Sequence, residues 1–409
     1  MKTLIRLFAI SIGLISINCY GQWTELTSGT LNYLYDVHFP VIDTGYVVGG
    51  YGTILKTTNG GTSWTSINIG VTHDIRTAHF FDSKTGIIAG DSSVFMKTTD
   101  GGLNWTYHTV PLPVGATGTV INDIHFPTPN VGYAGAKLLP SGGVIFKTTN
   151  GGDSWDTLST NFYALRTIFC LASDTCFTMG YDPGFTDLYK TTDGNNWIVV
   201  DSLTGQDFEC IFFTNSNTGY ITGWYSTATY KTIDGGNTWS TLIPGASYDL
   251  YDLYFPSFDT GYGVGWSGNI VKTTNEGVNW TKQPVPDSTI TFYSVYFTDN
   301  IIGYAVGTNG TILKTANGGE TGINETPGYG NYKIYPNPFD NSATLTFDNS
   351  KKKNHTLTLY DKQGRLVRTI TDITTDRVII KKDNLTSGQY FFQLRNNRVV
   401  RANGKLTID

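Results

Sequence analysis

Lys56-Thr57-Thr58-Asn59-Gly60-Gly61-Thr62-Ser63-Trp64 decides the fold, because the stretch returns. The same frame opens at Lys97 (KTTDGGLNW), Lys147 (KTTNGGDSW), Lys190 (KTTDGNNW), Lys231 (KTIDGGNTW), Lys272 (KTTNEGVNW) and Lys314 (KTANGGET). The seven lysines lie 41, 50, 43, 41, 41 and 42 residues apart, which is the length of one four-stranded propeller blade. Working outward from the first copy, alternation and turn chemistry predict strand A over Tyr35 to Phe39, B over Gly45 to Gly49, C over Thr53 to Thr57 and D over Trp64 to Ile67. Asn59, or the Asp in its place, can form an Asx turn onto the following amides, Gly60 and Gly61 accept positive φ, and Trp64 can pack between adjacent blades. The motif therefore reads as a folding device rather than a catalytic one.

The seventh copy lacks its tryptophan and runs on to Thr321. At the other end of the repeat region, Trp23-Thr24-Glu25-Leu26 matches the start of a strand D, and no glycine-rich box precedes it. From each such tryptophan to the next strand-B glycine the separation is 22 for Trp23 and 22, 27, 21, 22, 22 and 23 for the others, with Cys176 standing in for the glycine once. Trp23 is thus in phase. The expectation is an all-β chain: a seven-bladed β-propeller closed by an N-terminal strand, with no open edge.

Composition and charge divide the rest of the chain. Lys2 and Arg6, the apolar run from Leu7 to Ile17 and the small residues near Gly21 predict a signal peptide over 1–21, cleaved before Gln22; Asn18 ahead of Cys19 fits a lipid-attachment box poorly. No later window supplies the ~18 to 20 apolar residues of a membrane-spanning helix. Residues 22–332 carry 12 Lys+Arg against 26 Asp+Glu (12 − 26 = −14), and residues 333–409 carry 14 against 7 (14 − 7 = +7). Such asymmetry marks two modules, the propeller at 22–319 and a C-terminal domain at 333–409, joined by a Gly- and Thr-rich linker at 320–332. It also argues against nucleic acid as a partner of the acidic module. Cys170 and Cys176 flank a predicted hairpin turn and are candidates for a disulfide; the competing reading is small buried hydrophobes, and no spacing suggests a metal site.

In an antiparallel blade, the A–B and C–D turns share one face and the B–C and D–A connections share the other. Length varies on the second face: blade 3 gains residues before strand B and at Ala136 to Gly143, and blade 4 gains them at Tyr181 to Asp187. Tyr51, Tyr181, Trp224, Tyr225 and Trp266 all fall at or near B–C tips, which makes them candidates for stacking sugar rings or anchoring a protein. With 14% aromatic residues in the chain, some reach such tips by composition alone and pack against neighbouring loops.

These residues carry a family resemblance. The Asp boxes resemble the repeats of sialidases and sortilin-like receptors, and the fuller frame of GY-x-VG, G-x-I-x-KTT and NGG-x-x-W is most similar to the propeller of photosystem II assembly factors and their relatives in non-photosynthetic bacteria. That resemblance spans Trp23 to about Gly319 and implies the fold. The photosynthetic members act as assembly chaperones with a basic patch, and this propeller is acidic. The tail, with Ile334-Tyr335-Pro336-Asn337-Pro338-Phe339, Leu357 to Ile370, Leu385 to Arg395 and the closing Gly404 to Asp409, resembles the type A sorting domain of type IX secretion. Physically it reads as a small β-sandwich with turns at Lys362 to Gly364 and Ser387-Gly388. The resemblance implies recognition by the outer-membrane secretion machinery, and a product that is secreted or held at the cell surface of a Gram-negative bacterium after passing through the periplasm.

An enzyme is the competing class. Sialidases grip their substrate carboxylate with three arginines, and the propeller has two, Arg76 and Arg166. Other glycosidases need two carboxylates ~5 to 9.5 Å apart; Asp182 with Asp187, and Asp207 with Glu209, are the candidates, and nothing in their spacing sets them above ordinary loop acids. His38, His73, His79, His108 and His125 show no metal-ligand spacing, and the Asp/Asn-rich turns read as Asx caps before they read as calcium sites. The expectation is a monomeric, non-catalytic exported propeller, without cofactor or metal, that binds a protein or glycan. A glycoside hydrolase is the alternative, and a structural part of a surface assembly the second.

Overall fold

The computed structural model describes residues 23–182, 185–204, 207–224, 229–242, 249–319, 332–361, 365–396 and 399–409; within these ranges the side chains of 159–161, 182, 204, 224, 399 and 400 are not described. The predicted leader, nearly all of the linker, Tyr225 and the Lys362 to Gly364 turn lie outside the described residues. Among the described residues, no helix is long and apolar enough to cross a membrane. The chain divides into two compact units, Met1–Gly322 and Ile323–Asp409.

The described part of the first unit forms seven four-stranded antiparallel sheets. Their innermost strands are Leu34–Val41, Ile75–Phe80, Gly118–His125, Ala164–Cys170, Asp207–Phe213, Leu250–Tyr254 and Phe292–Phe297. Each packs against the next, and the last packs against the first. The seventh sheet takes its outer strand from the start of the chain: Trp23–Leu26 pairs with Ile312–Thr315, Trp23 opposite Thr315. Trp23 is 1% exposed and meets Phe297 edge-on at 6.0 Å and 89°, as Trp64 meets Phe39 at 6.0 Å and 82°. A residue nearly 300 positions away thus fills the place left by the seventh box's missing tryptophan.

What joins blade to blade is a repeated aromatic stack. In blade 2, Phe80 lies flat on Tyr46 of blade 1 with centroids 3.5 Å apart; Phe39 stacks on Tyr304, Phe255 on Tyr220 and Phe297 on Tyr262 in the same way. Each such pair adds ~0.5 to 1.5 kcal/mol beyond area burial. The phenylalanine fits only because strand B starts with glycine: a Cβ on Gly45 would sit 2.4 Å from the Phe39 ring, and the same holds at Gly86, Gly132, Gly219, Gly261 and Gly303. Blade 4 departs from this. Cys170 occupies the phenylalanine position and Cys176 the glycine position, and the two form a disulfide across paired strands. The predicted bridge is present, and its place in the repeat explains it: it replaces the ring-on-glycine contact of the other six blades.

The Asp boxes behave as read. Asn59 Oδ1 accepts from Ser63 N at 3.0 Å, and Thr57 Oγ1 accepts from Gly61 N at 2.9 Å. Gly60 and Gly61 have φ of 62° and 81°, where a side chain is strained. The repeated lysine and tyrosine reach into the next blade's box: Lys56 Nζ and Tyr46 Oη both donate to Gly101 O, at 2.7 and 3.2 Å, and Lys314 Nζ and Tyr304 Oη both donate to Gly60 O, at 2.6 and 2.8 Å. The indole nitrogens of Trp23, Trp64, Trp105, Trp155, Trp197, Trp239 and Trp280 are buried without an acceptor. An orphaned donor costs ~1 to 3 kcal/mol, less than the ~4 to 6 kcal/mol that burying 150 to 250 Å² of indole returns.

The insertions in blades 3 and 4 lengthen strands rather than loops. Gly132–Leu139 pairs with Gly143–Thr148, and Cys176–Asp182 with Phe185–Thr191, so these hairpins project further on the B–C and D–A face. The C-terminal unit contains a three-stranded sheet (Tyr332–Tyr335, Ser342–Phe347, Arg377–Lys381) and a four-stranded sheet (His355–Tyr360, Leu366–Ile373, Gly388–Asn396, Val399–Ile408). Leu345 and Ile380 from the first and Leu357, Phe392 and Leu406 from the second share one buried core. Phe339, from the Pro-Asn-Pro-Phe run, is buried in it and pairs with Ile408.

Candidate functional site: the mouth of the axial channel

The seven inner strands share a pattern that strict alternation does not explain. Leu-Tyr-Asp-Val-His-Phe (34–39) corresponds to Ile-Arg-Thr-Ala-His-Phe (75–80), Ile-Asn-Asp-Ile-His-Phe (121–126), Leu-Arg-Thr-Ile-Phe-Cys (165–170), Phe-Glu-Cys-Ile-Phe-Phe (208–213), Leu-Tyr-Asp-Leu-Tyr-Phe (250–255) and Phe-Tyr-Ser-Val-Tyr-Phe (292–297). Two polar positions stand side by side in each. The register of every inner strand shifts at that point, for example between Leu34 and Asp36 and between Phe292 and Ser294. An extra residue of this kind bends the strand and re-aims its side chain. Both members of the polar pair therefore line the channel.

The upper ring is Tyr35, Arg76, Asn122, Arg166, Glu209, Tyr251 and Tyr293; the lower ring is Asp36, Thr77, Asp123, Thr167, Cys210, Asp252 and Ser294. Together they line a cavity of about 230 Å³ on the face that carries the B–C and D–A connections. Three tyrosines make one arc, Tyr293 standing 5.4 Å from Tyr35 and 5.5 Å from Tyr251, with Tyr33 at 6.3 Å behind. The remaining arc is ionic. Arg76 pairs with Asp91 on the hairpin of its own blade, and Arg166 Nη1 donates to both carboxylate oxygens of Glu209, at 2.9 and 3.3 Å. Asn122 Nδ2 donates to Leu165 O at 2.6 Å.

The lower ring ties blade to blade. Asp36 Oδ2 accepts from Ala78 N at 2.8 Å, Asp123 Oδ2 from Ile168 N at 2.9 Å, and Asp252 Oδ2 from Val295 N at 2.9 Å. Burial raises all three carboxyls, Asp123 to about 7 and Asp252 to about 6. The free Cys210 donates to Asp252 Oδ1 at 3.4 Å, and burial pushes its thiol well up, which leaves it a poor nucleophile. One layer deeper, His38, His79 and His125 occupy one position of three consecutive blades, His38 and His79 with ring centroids 5.3 Å apart. His38 Nδ1 accepts from Phe80 N and His125 Nδ1 from Cys170 N, and burial lowers both imidazoles to about 4. They are neutral packing groups. Among the described residues, no group of three or more His, Cys, Asp or Glu could hold a metal ion. The box carboxylates spend their oxygens locally, as Asp234 does on Thr238 N, Thr238 Oγ1 and Asn237 N.

Of the residues singled out from sequence, Tyr51 sits exposed at the blade 1 hairpin tip with φ 55°, and its N–H donates to Asp74, which also accepts from Tyr35 Oη at the mouth. Tyr181 is half-buried, its ring 5.4 Å beneath the Arg166 guanidinium. Trp266 is 49% exposed on the blade 6 hairpin. The Trp224 side chain and Tyr225 lie outside the described residues. Of the candidate acids, Asp187 accepts from Ser202 Oγ at 2.6 Å and Tyr189 Oη at 3.2 Å, and Glu209 is committed to Arg166. Sequence reasoning missed Tyr35, Asn122, Tyr251 and Tyr293, and it counted Arg76 and Arg166 without placing them. The doubled polar position in each inner strand was the available signal.

Comparison with known proteins agrees with both units. Residues 15–171 match the family model described as photosynthesis system II assembly factor YCF48, and residues 333–409 match that of the secretion system C-terminal sorting domain. Among solved structures, YCF48 bound to a D1 peptide superposes with a TM-score of 0.60 at 20% identity, over 73% of this chain and 98% of that one. YCF48 from Cyanidioschyzon merolae gives 0.59 at 19%, over 72% and 98%, and the WD40 β-propeller domain of Doa1 gives 0.56 at 12%, over 72% and 96%. No curated protein matches the sequence. The chain thus carries a YCF48-like propeller and a sorting domain of type IX secretion, which directs export to the outside of the cell or its surface.

Proposed function

We propose that this YCF48-like propeller, exported by means of its sorting domain, is a non-catalytic binding module that takes an extended polypeptide segment at the mouth of its axial channel. The observation that carries the reading is the upper ring. Seven strands that repeat one another elsewhere differ there, presenting three tyrosines, two arginines, an asparagine and a glutamate at one opening. Mixed aromatic and hydrogen-bonding surfaces of this kind are what protein hot spots use. The longer hairpins of blades 3 and 4 rise on the same face and extend the contact area. That a structurally similar propeller has been solved with a peptide bound supports the same reading. Catalysis is disfavoured because Glu209 and Asp187, the described candidate acids with assigned contacts, are tied to neighbours rather than paired across a cleft.

A glycan remains the second reading, favoured by the exposed Tyr51 and Trp266 on the face of the tyrosine arc. One experiment separates the readings: the full chain without its predicted leader is applied to an array of overlapping peptides from the organism's exported and surface proteins and, in parallel, to a glycan array with released sugars monitored. Peptide binding that is lost in a Tyr251→Ala/Tyr293→Ala variant is the expected result. Selective glycan binding would replace this reading with the second, and turnover would overturn the non-catalytic assignment.

A further inference from the structure

We infer that the cavity at the channel mouth is an anchor for one cationic side chain, a lysine or arginine of the bound polypeptide; the identity of the anchor rests on the peptide reading above. Size comes first. About 230 Å³ is below the range of pockets that enclose whole small ligands and suits a single long side chain.

Charge comes second. The lining holds Asp36, Asp123, Asp252 and Glu209 against Arg76 and Arg166. Both guanidinium groups are already neutralised, one by Asp91 and the other by Glu209. What is left is three carboxyls with no cation beside them. Asp123 accepts two hydrogen bonds on Oδ2, from Ile168 N and Thr167 Oγ1, and among the described residues none on Oδ1. Where Asp123 is ionised, the cavity floor therefore offers an oxygen without a donor, and a bound ammonium or guanidinium would supply one and bring the raised carboxyl down.

The walls agree. Tyr35, Tyr251 and Tyr293 form an aromatic arc above that floor, and ring faces attract cations. The protein uses the same pairing at this mouth, with the Arg76 guanidinium 5.6 Å from the Tyr35 centroid and that of Arg166 5.4 Å from Tyr181. Beyond the cavity, residues 22–332 carry 12 cationic against 26 anionic side chains (12 − 26 = −14), a field that draws cations in. An anionic group would meet two guanidinium groups whose charge is already compensated by Asp91 and Glu209, with three further carboxyls beneath it.

The test titrates n-butylammonium, n-butanol and butanoate onto the full chain without its leader, carrying ¹³C-labelled tyrosine, and reads the ring signals of Tyr35, Tyr251 and Tyr293. Butylammonium is expected to shift them at a concentration ~10-fold below that needed for butanol, and Asp123→Asn or Asp252→Asn to weaken it by ~10-fold. Thermal melts of both variants show whether the ring is intact, and either folded variant suffices. Butanoate binding more tightly than butylammonium, or no difference between butylammonium and butanol, overturns the anchor. If array peptides still bind and tolerate every Lys→Gln and Arg→Gln change, the anchor falls while the peptide reading stands. If butylammonium binds and no peptide does, the peptide reading falls and the cation site stands.

Discussion

The outer layer of the propeller and the top of its channel obey opposite rules. In the Asp-box layer the same lysine, threonine, glycine and tryptophan recur in blade after blade, and most copies make the same contact: lysine to the next box's carbonyl (Lys97, which reaches the Asp153 carboxylate of that box, departs from this), threonine to the box amide, tryptophan edge-on to phenylalanine. At the channel mouth seven structurally equivalent positions carry tyrosine, arginine, asparagine and glutamate in no repeating order. Recurrence follows where one physical task must be done seven times. Variation is tolerated where the fold makes no demand, and there a ligand can be specified.

The contrast breaks most severely at the closure. Trp23→Ala removes the indole that stands in for the seventh box's own and opens a cavity between blades 6 and 7. A loss of ~3 to 5 kcal/mol is expected in urea unfolding, whereas Trp266→Ala, exposed at a hairpin tip, should change stability by less than ~0.5 kcal/mol. Equal effects would remove the distinction between the two kinds of tryptophan. Overpacking is next. Gly45→Ala drives a methyl to 2.4 Å from Phe39 and should cost ~1 to 3 kcal/mol, read as a lower melting temperature.

Blade 4 permits a sharper test. If Cys170–Cys176 is the substitute for a phenylalanine on glycine, the double change Cys170→Phe/Cys176→Gly should retain most of the stability, while Cys170→Ala/Cys176→Ala should lose ~2 kcal/mol or more. Loss of equal size in both variants would mean that the disulfide is not interchangeable with the ring contact of its neighbours.

How much of this was legible follows the same division. The blades, their boundaries, the strand contributed by Trp23 and the two-sheet tail could be read, because a 41-residue period and the hydrophobic alternation both survive in a single sequence. The disulfide was readable as a hairpin pair, although its role as a stand-in appears only when Cys170 is aligned with Phe39 and Phe80 in space. The mouth was not read. Aromatic residues at hairpin tips drew attention to Tyr51 and Trp266, whereas Tyr35, Tyr251 and Tyr293 looked like ordinary strand residues. Only the register shift turns them toward the axis, and a bulge leaves no more trace in sequence than two adjacent polar positions. The histidines tell the same story: His38, His79 and His125 are 41 and 46 residues apart, which is no metal-ligand spacing, yet one blade repeat places them together.

The channel interior should also show in pH dependence, with a smaller effect. His38 and His125, depressed to about 4 from an unfolded value near 6.5, stabilise the fold fully above ~pH 6.5 and less as the pH falls toward 4. Asp123, raised to about 7 from an unfolded value near 3.9, has the opposite sign: its contribution is complete below ~pH 4 and is lost as the pH rises through 7. His79 is lowered like the other two imidazoles, and Asp36 and Asp252 are raised like Asp123, so three histidines oppose three carboxyls and the two sets nearly cancel between ~pH 4 and 6, where urea midpoints should vary little. Asp123→Asn removes one carboxyl from the balance, and midpoints should then fall more on acidification than in the parent. A variant as flat as the parent would contradict the assignment.

The most direct test of the central claim is the affinity of one array-selected peptide for two folded variants, measured by calorimetry. Tyr251→Ala/Tyr293→Ala alters the varied ring, and Leu103→Ala/Thr62→Ala alters exposed positions of the Asp-box layer. Binding weakened at least ~10-fold by the first pair, as loss of two aromatic contacts implies, and unchanged by the second is the predicted result. Binding that survives the first pair and fails with the second would place the site on the opposite face and contradict the account.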